Sequence, residues 1–112
     1  MVEPTLPKPL RFEVYLINLN PTQGAEIKKT RPCVVVSPNE MHVLSTVIIA
    51  PMTTTIKKYP TRVSLKFDGK EGQIALDQMR TVDRSRLIKN LGCVDKKTQK
   101  QIVATLLEIF RE

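Results

Sequence analysis

The sequence predicts a mainly β domain: a small antiparallel barrel or half-barrel with one C-terminal helix packed on it. Three observations predict it. Short apolar runs of strand length recur along the chain, turn signals separate them, and a helical hydrophobic period is confined to the end. Strands that follow one another without alternating helices exclude a βαβ sheet and favour a closed or half-closed antiparallel one.

The 112 residues suit one domain, read as residues 11–112, after a loose arm over residues 1–10. The arm, MVEPTLPKPL, carries three prolines and no apolar stretch, so it reads as neither a signal sequence nor a helix. Residues 12–19, FEVYLINL, are rich in β-branched, aromatic and aliphatic side chains and form a strand ending at the turn signal Asn20-Pro21. Residues 32–37 and 46–51 are continuous apolar runs, which predicts strands buried on both faces. Residues 61–67 alternate, with Val63, Leu65 and Phe67 on one side and Arg62, Ser64 and Lys66 on the other, as a strand with one wet face requires.

Asp68 to Gly72 is expected as a glycine-bearing hairpin loop, returning through a strand at residues 73–76. Asp83 to Asn90 reads as a short helix with Leu87 and Ile88 inward, followed by a short strand at residues 91–94. From Asp95, a plausible N-cap, Ile102, Val103, Leu106, Leu107 and Phe110 recur at helical spacing and predict a closing amphipathic helix.

Eighteen basic and eleven acidic residues leave a formal charge of +7, which favours polyanionic partners. No apolar run approaches the ~20 residues that a membrane helix needs, so a soluble chain without a membrane partner is expected. Cys33 and Cys93 are far apart and each sits among apolar neighbours, which reads as two buried thiols in a reducing cytoplasm. His42 is the single histidine, and with no close cysteine pair or acidic cluster the sequence offers no metal site. Phosphate-binding glycine loops are absent, so no cofactor is expected. With no tryptophan and few aromatics, a base-stacking platform is poorly supported.

The richest stretch is Asn20 to Pro38, NPTQGAEIKKTRPCVVVSP, where Glu26, Lys28, Lys29 and Arg31 stand in a loop before an apolar strand. A base on one side of a phosphate and a fixed guanidinium on the other is the minimum apparatus for a ribose 2′-hydroxyl to attack its neighbouring phosphodiester. Pro32 restricts Arg31 to extended geometry and so aims its side chain; an ion pair at a sheet edge would explain the same residue. Glu26 reads either as a proton acceptor or as a solvated loop carboxylate.

Thr53 and Thr54, after Met52, offer hydroxyl donors to a phosphate or simply end a strand. Asp77, Gln78 and Arg80 present an acceptor, an amide and a cation suited to base edges, or to closing a turn. Lys57 and Lys58 with Arg62, and Arg80, Arg84, Arg86 and Lys89, are two basic clusters that extend a single-strand groove or form a solvated surface.

Three blocks in register, VYLINLNPTQGAEIKKTRPCVVVSPN, TVIIAPMTTTIKKYPTRV and IALDQMRTVDRSRL, resemble the MazF/PemK family of toxin endoribonucleases, the mRNA interferases of toxin–antitoxin modules. The resemblance implies an SH3-like barrel of the CcdB/PemK type that forms a homodimer, with an RNA groove across or beside the dimer interface. It implies cleavage of single-stranded RNA within short sequences, without metal or cofactor, in a bacterial cytoplasm. The implied partner is an acidic MazE/PemI-like antitoxin whose flexible C-terminal segment fills the groove.

By the same resemblance Arg31, Glu26 and Thr53 are the catalytic residues and Asp77 contacts substrate, with Lys28, Lys29, Thr54, Lys57, Lys58, Gln78 and Arg80 as RNA-binding candidates around them. Glu26 would take the 2′-hydroxyl proton, Arg31 would stabilise the phosphorane and Thr53 would orient a phosphate oxygen. The products would be a 2′,3′-cyclic phosphate and a 5′-hydroxyl, with the acid for the leaving oxygen left open between water and arginine. The chain departs from the family in having Phe12-Glu13 where Gly-Asp is usual, and Ala75 where some members carry an arginine.

Two other readings are open. A barrel toxin that poisons a topoisomerase depends on a tryptophan near the C-terminus, whereas this chain ends Ile109-Phe110-Arg111-Glu112. An RNA-binding barrel without cleavage would use the same cations.

Overall fold

Alternate residues of the apolar runs part to opposite faces of one curled antiparallel sheet. The computed structural model describes residues 8–112, so most of the expected arm lies outside the described residues. Its elements are β1 (Glu13–Asn18), β2 (Thr30–Val35), β3 (Thr46–Thr53), β4 (Arg62–Phe67), β5 (Lys70–Ala75), β6 (Arg80–Asp83), β7 (Leu87–Cys93) and α1 (Lys96–Phe110), with three short 3-10 turns between them. The strand order is β4-β5-β3-β2-β1-β7, and β6 also pairs with β3. Every pairing is antiparallel, and the curl of this sheet with one terminal helix gives the expected half-barrel.

Register explains the two cores. Val14 pairs with Val34, and Val34 with Ala50, so these three share a face with Met52, Val63, Ile74 and the helix residue Ile102. One residue along, Tyr15, Ile17, Cys33, Val35 and Ile49 gather on the opposite face with Leu19, Val47, Val82 and Leu87. The continuous apolar runs of β2 and β3 are therefore buried on both faces, as expected. Ile17 and Ile49 are fully buried, each worth roughly 1.5–3 kcal/mol. On β4, Val63 is buried while Ser64 and Lys66 are exposed, which matches its alternating pattern.

Several expectations need correction. Residues 83–90 are not a helix: a 3-10 turn at Arg84–Arg86, capped by Asp83 accepting from the Ser85 amide at 2.8 Å, leads into β7. Pairing with β1 overrides the local pattern there, with two register shifts. The hairpin after β4 is tighter than predicted, because Asp68 and Gly69 both take positive φ (50° and 77°) and Phe67 pairs directly with Lys70. That is the geometry an Asp-Gly two-residue turn favours.

Asp95 does cap α1, accepting from the Thr98 amide at 2.8 Å. Yet of the predicted inward residues only Ile102 is fully buried, while Leu107 and Phe110 are exposed. The stripe is wider than the surface available to cover it. Cys33 is buried as expected, but Cys93 is exposed, because it ends β7 at the sheet edge. No described helix is long and apolar enough to cross a membrane.

Candidate active site

β2 begins at Thr30, so Arg31 is the second residue of a strand rather than part of the loop before it. It pairs with Ile17 of β1, and Pro32 with Leu16. Its guanidinium is held by two backbone carbonyls: Nε donates to Lys28 at 2.8 Å and NH1 to Met52 at 3.4 Å. These bonds tie the loop before β2 to the end of β3. Lys29 intervenes at a φ of 73°, a left-handed conformation unusual for a side-chain-bearing residue. The Asn20 side chain accepts from the Lys29 amide at 3.2 Å, and the Lys29 carbonyl accepts from the Leu19 amide at 3.1 Å.

Arg31 lines an open cleft of about 270 Å³ with Pro32, Met52, Thr53, Thr54 and the β4–β5 hairpin. Thr53 is buried, and its Oγ1 accepts from the Thr55 amide at 3.1 Å, which leaves the hydroxyl hydrogen without an acceptor among the described residues. Asp68, Lys70 and Glu71 reach the same cleft from the hairpin. Nothing in the local sequence pointed to the hairpin, since only the β3–β5 pairing brings it there.

Glu26 stands elsewhere. It lines a neighbouring cleft of about 210 Å³ with Asp77, Gln78 and Arg80, and no ion pair joins it to Arg31 among the described residues. Pro51 faces this second cleft, whereas Met52 and Thr53 face the first, so the end of β3 is the wall between them. The Glu26 Oε1 accepts from the Gln23 amide at 2.6 Å. Gln78 clamps the loop: its Oε1 accepts from the Ile27 amide at 3.1 Å and its Nε2 donates to the Ala25 carbonyl at 3.2 Å. Arg80 donates to the Leu19 carbonyl at 3.0 Å, and Arg86 to those of Asn18 and Asn20 at 3.2 and 2.6 Å. Much of the second basic cluster thus braces this loop.

Asp77 is paired rather than open. Arg62 grips it with Nε at 2.7 Å and NH2 at 3.2 Å, and the Thr61 hydroxyl donates at 3.0 Å. Burial opposes its charge, but these hydrogen bonds outweigh that and hold the carboxyl below its ordinary range. Arg62 also lies 5.1 Å over the Tyr59 ring, so it closes the β3–β4 connection and is not a spare cation. Lys28, Lys29, Lys57 and Lys58 are exposed and line neither cleft.

The buried Cys33 thiol, pushed up to about 12 by desolvation against the pull of Arg31 and Arg80, is no nucleophile at neutral pH. Among the described residues no cluster of histidine, cysteine, aspartate and glutamate is placed to hold a metal ion.

The fold and this site define a small β half-barrel whose rim carries a braced arginine, threonine hydroxyls and lysines that form no ion pair among the described residues. The chain belongs to the family of PemK-like, MazF-like toxins of type II toxin–antitoxin systems, whose model matches residues 10–110. It is 37% identical over 100 residues to the endoribonuclease MazF of Staphylococcus saprophyticus, covering 82% of each chain. It superposes on the crystal structure of MazF from Deinococcus radiodurans with a TM-score of 0.81 at 26% identity, over 93% of this chain and 97% of that one. A mycobacterial endoribonuclease in complex with its cognate antitoxin matches with a TM-score of 0.75 at 26% identity, over 89% and 92% of the two chains.

Proposed function

We propose that the protein is an endoribonuclease, the toxin of a type II toxin–antitoxin pair, and that it cleaves single-stranded RNA at the Arg31 cleft without a metal ion. The observation that carries this is the state of Arg31. Two carbonyls fix its guanidinium, while NH2 donates to no protein group among the described residues and remains to meet a phosphate oxygen. Such a donor, fixed before substrate arrives, needs no reorganisation as negative charge builds on the phosphorane.

In this reading Thr53 donates to a second phosphate oxygen. Glu26, whose Oε2 accepts no hydrogen bond from the described residues, takes the 2′-hydroxyl proton of a ribose lying over the end of β3 between the two clefts. The 2′-oxygen then forms a bond to phosphorus as the bond from phosphorus to the 5′-oxygen breaks, and the departing oxygen takes a proton from water, leaving a 2′,3′-cyclic phosphate and a 5′-hydroxyl. Asp77, Gln78 and Arg80 line the second cleft, where an adjacent base would seat. Lys28, Lys29, Thr54, Lys57 and Lys58 form the exposed rim that attracts the backbone.

The net charge of +7 supports an acidic antitoxin as the partner that competes for this rim, and the exposed Leu107 and Phe110 of α1 support a second copy of the chain as a further one. The bacterial cytoplasm is the compartment in which both partners and RNA would be met. Neither alternative reading gains an observation of its own. The test is incubation of purified protein with a long single-stranded RNA in excess EDTA, followed by analysis of fragment ends. Cyclic-phosphate and 5′-hydroxyl ends are expected; binding without cleavage would leave only an RNA-binding barrel.

A further inference from the structure

Gln73 is buried in the wall of the Arg31 cleft, only 5% exposed, and directs both ends of its amide to one distant residue. Its Oε1 accepts from the Lys57 amide at 3.1 Å and its Nε2 donates to the Lys57 carbonyl at 2.9 Å. Lys57 lies in the connection between β3 and β4, where residues 54–60 are all exposed and have no regular hydrogen-bond ladder.

β5 grips the start of the same segment as well. Gln73 pairs with Thr53, and a Cβ on Gly72 would come within 2.7 Å of the Thr53 carbonyl oxygen, so the two backbones touch. From Thr53 to Lys57 the chain is therefore fixed to β5 at both ends.

We infer that Gln73 is a positioning residue that holds the Thr53–Lys57 segment rigid, so that its first two residues, Thr53 and Thr54, form a fixed wall of the cleft, and thereby sets which RNA sequences seat for cleavage. This rests on the endoribonuclease reading above. In-line attack requires the 2′-oxygen, phosphorus and leaving oxygen to align closely. A fixed wall accepts few nucleotide shapes in that alignment, whereas a loose one admits more. Selectivity is a difference between competing sequences, and it erodes when the excluded ones fit. A residue serving only global stability would behave otherwise: its loss would lower the folded fraction and slow cutting equally at every site.

The test is Gln73→Met, which keeps side-chain volume and removes both hydrogen bonds. Two readouts are made on the purified variant: trypsin nicking after Lys57 and Lys58, and the positions of fragment 5′ ends on a long RNA. Nicking should accelerate on the order of tenfold or more, as expected for losing two net hydrogen bonds that close a local opening. Cleavage should spread to sequences that the wild type leaves intact.

A folded variant with unchanged nicking, or with the wild-type cut sites at an evenly lowered rate, overturns the proposal. If Gln73→Met does not fold, Gln73→Asn, one methylene too short to make both bonds, replaces it with the same expected directions and the same overturning results. Wild-type protein that cuts no RNA overturns the endoribonuclease reading and the selectivity claim with it. Unchanged nicking in the variants overturns the clamp alone.

Discussion

Asp77 shows how a residue's partners decide its role. The sequence left it open between a group aimed at substrate and one that closes a turn; in the fold Arg62 bonds both carboxylate oxygens and Thr61 adds a third bond. The partner lies fifteen residues away, across the β4–β5 pairing, so only the register reveals it. Because the folded carboxyl titrates below its ordinary value of 3.8, its stabilising contribution is complete above that pH. It is lost as pH falls from there through the lowered folded value. Asp77→Asn should therefore be less stable than wild type at neutral pH, with the gap in Tm closing as the solution is acidified below pH 3.8.

Arg31 was legible from the restriction that Pro32 imposes, but the carbonyls that hold its guanidinium were not, since one comes from β3. Phe12, where the family usually has glycine, keeps a φ of 74°. The departure in sequence leaves glycine-like geometry in place, with the partly buried ring packed against the core.

Among the elements, the first four strands and α1 were readable because their side-chain period and flanking turn residues agree with the pairings they make. β7 was read only at its end, where a strand was expected from residue 91. Leu87 and Ile88 mimic a helical stripe, and only the open edge of β1 makes a strand of the whole segment. β6 was hidden for a similar reason, being four residues long and specified by β3 alone.

The β3–β5 junction carries a further test. At Gly72 an added methyl would meet the Thr53 carbonyl oxygen, part of the backbone, at 2.7 Å, so the two strands must move apart. Gly72→Ala should cost on the order of 1–3 kcal/mol in urea unfolding, the usual cost of overpacking. It should also weaken RNA cleavage by shifting Thr53.

For the molecule as a whole, charge and shape divide the work. The +7 charge was plain from composition, and it selects a polyanion without saying where it binds. The structure separates spent cations from exposed ones: Arg62, Arg80 and Arg86 brace the fold, while Lys28, Lys29, Lys57 and Lys58 stand outward. RNA affinity should fall with salt, and Lys58→Ala should flatten the log–log slope by about 0.7, the value for one single-strand phosphate contact. A slope unchanged in titrations from low to moderate salt would remove Lys58 from the groove.

The whole account turns on Arg31, and the most direct measurement is the single-turnover rate at which Arg31→Ala cleaves a single-stranded RNA that the wild type cuts, with folding verified by circular dichroism. The rate should fall by about 100- to 1000-fold while RNA binding weakens far less, as when one preorganised oxyanion donor is removed. A folded variant that cuts at the wild-type rate would contradict it.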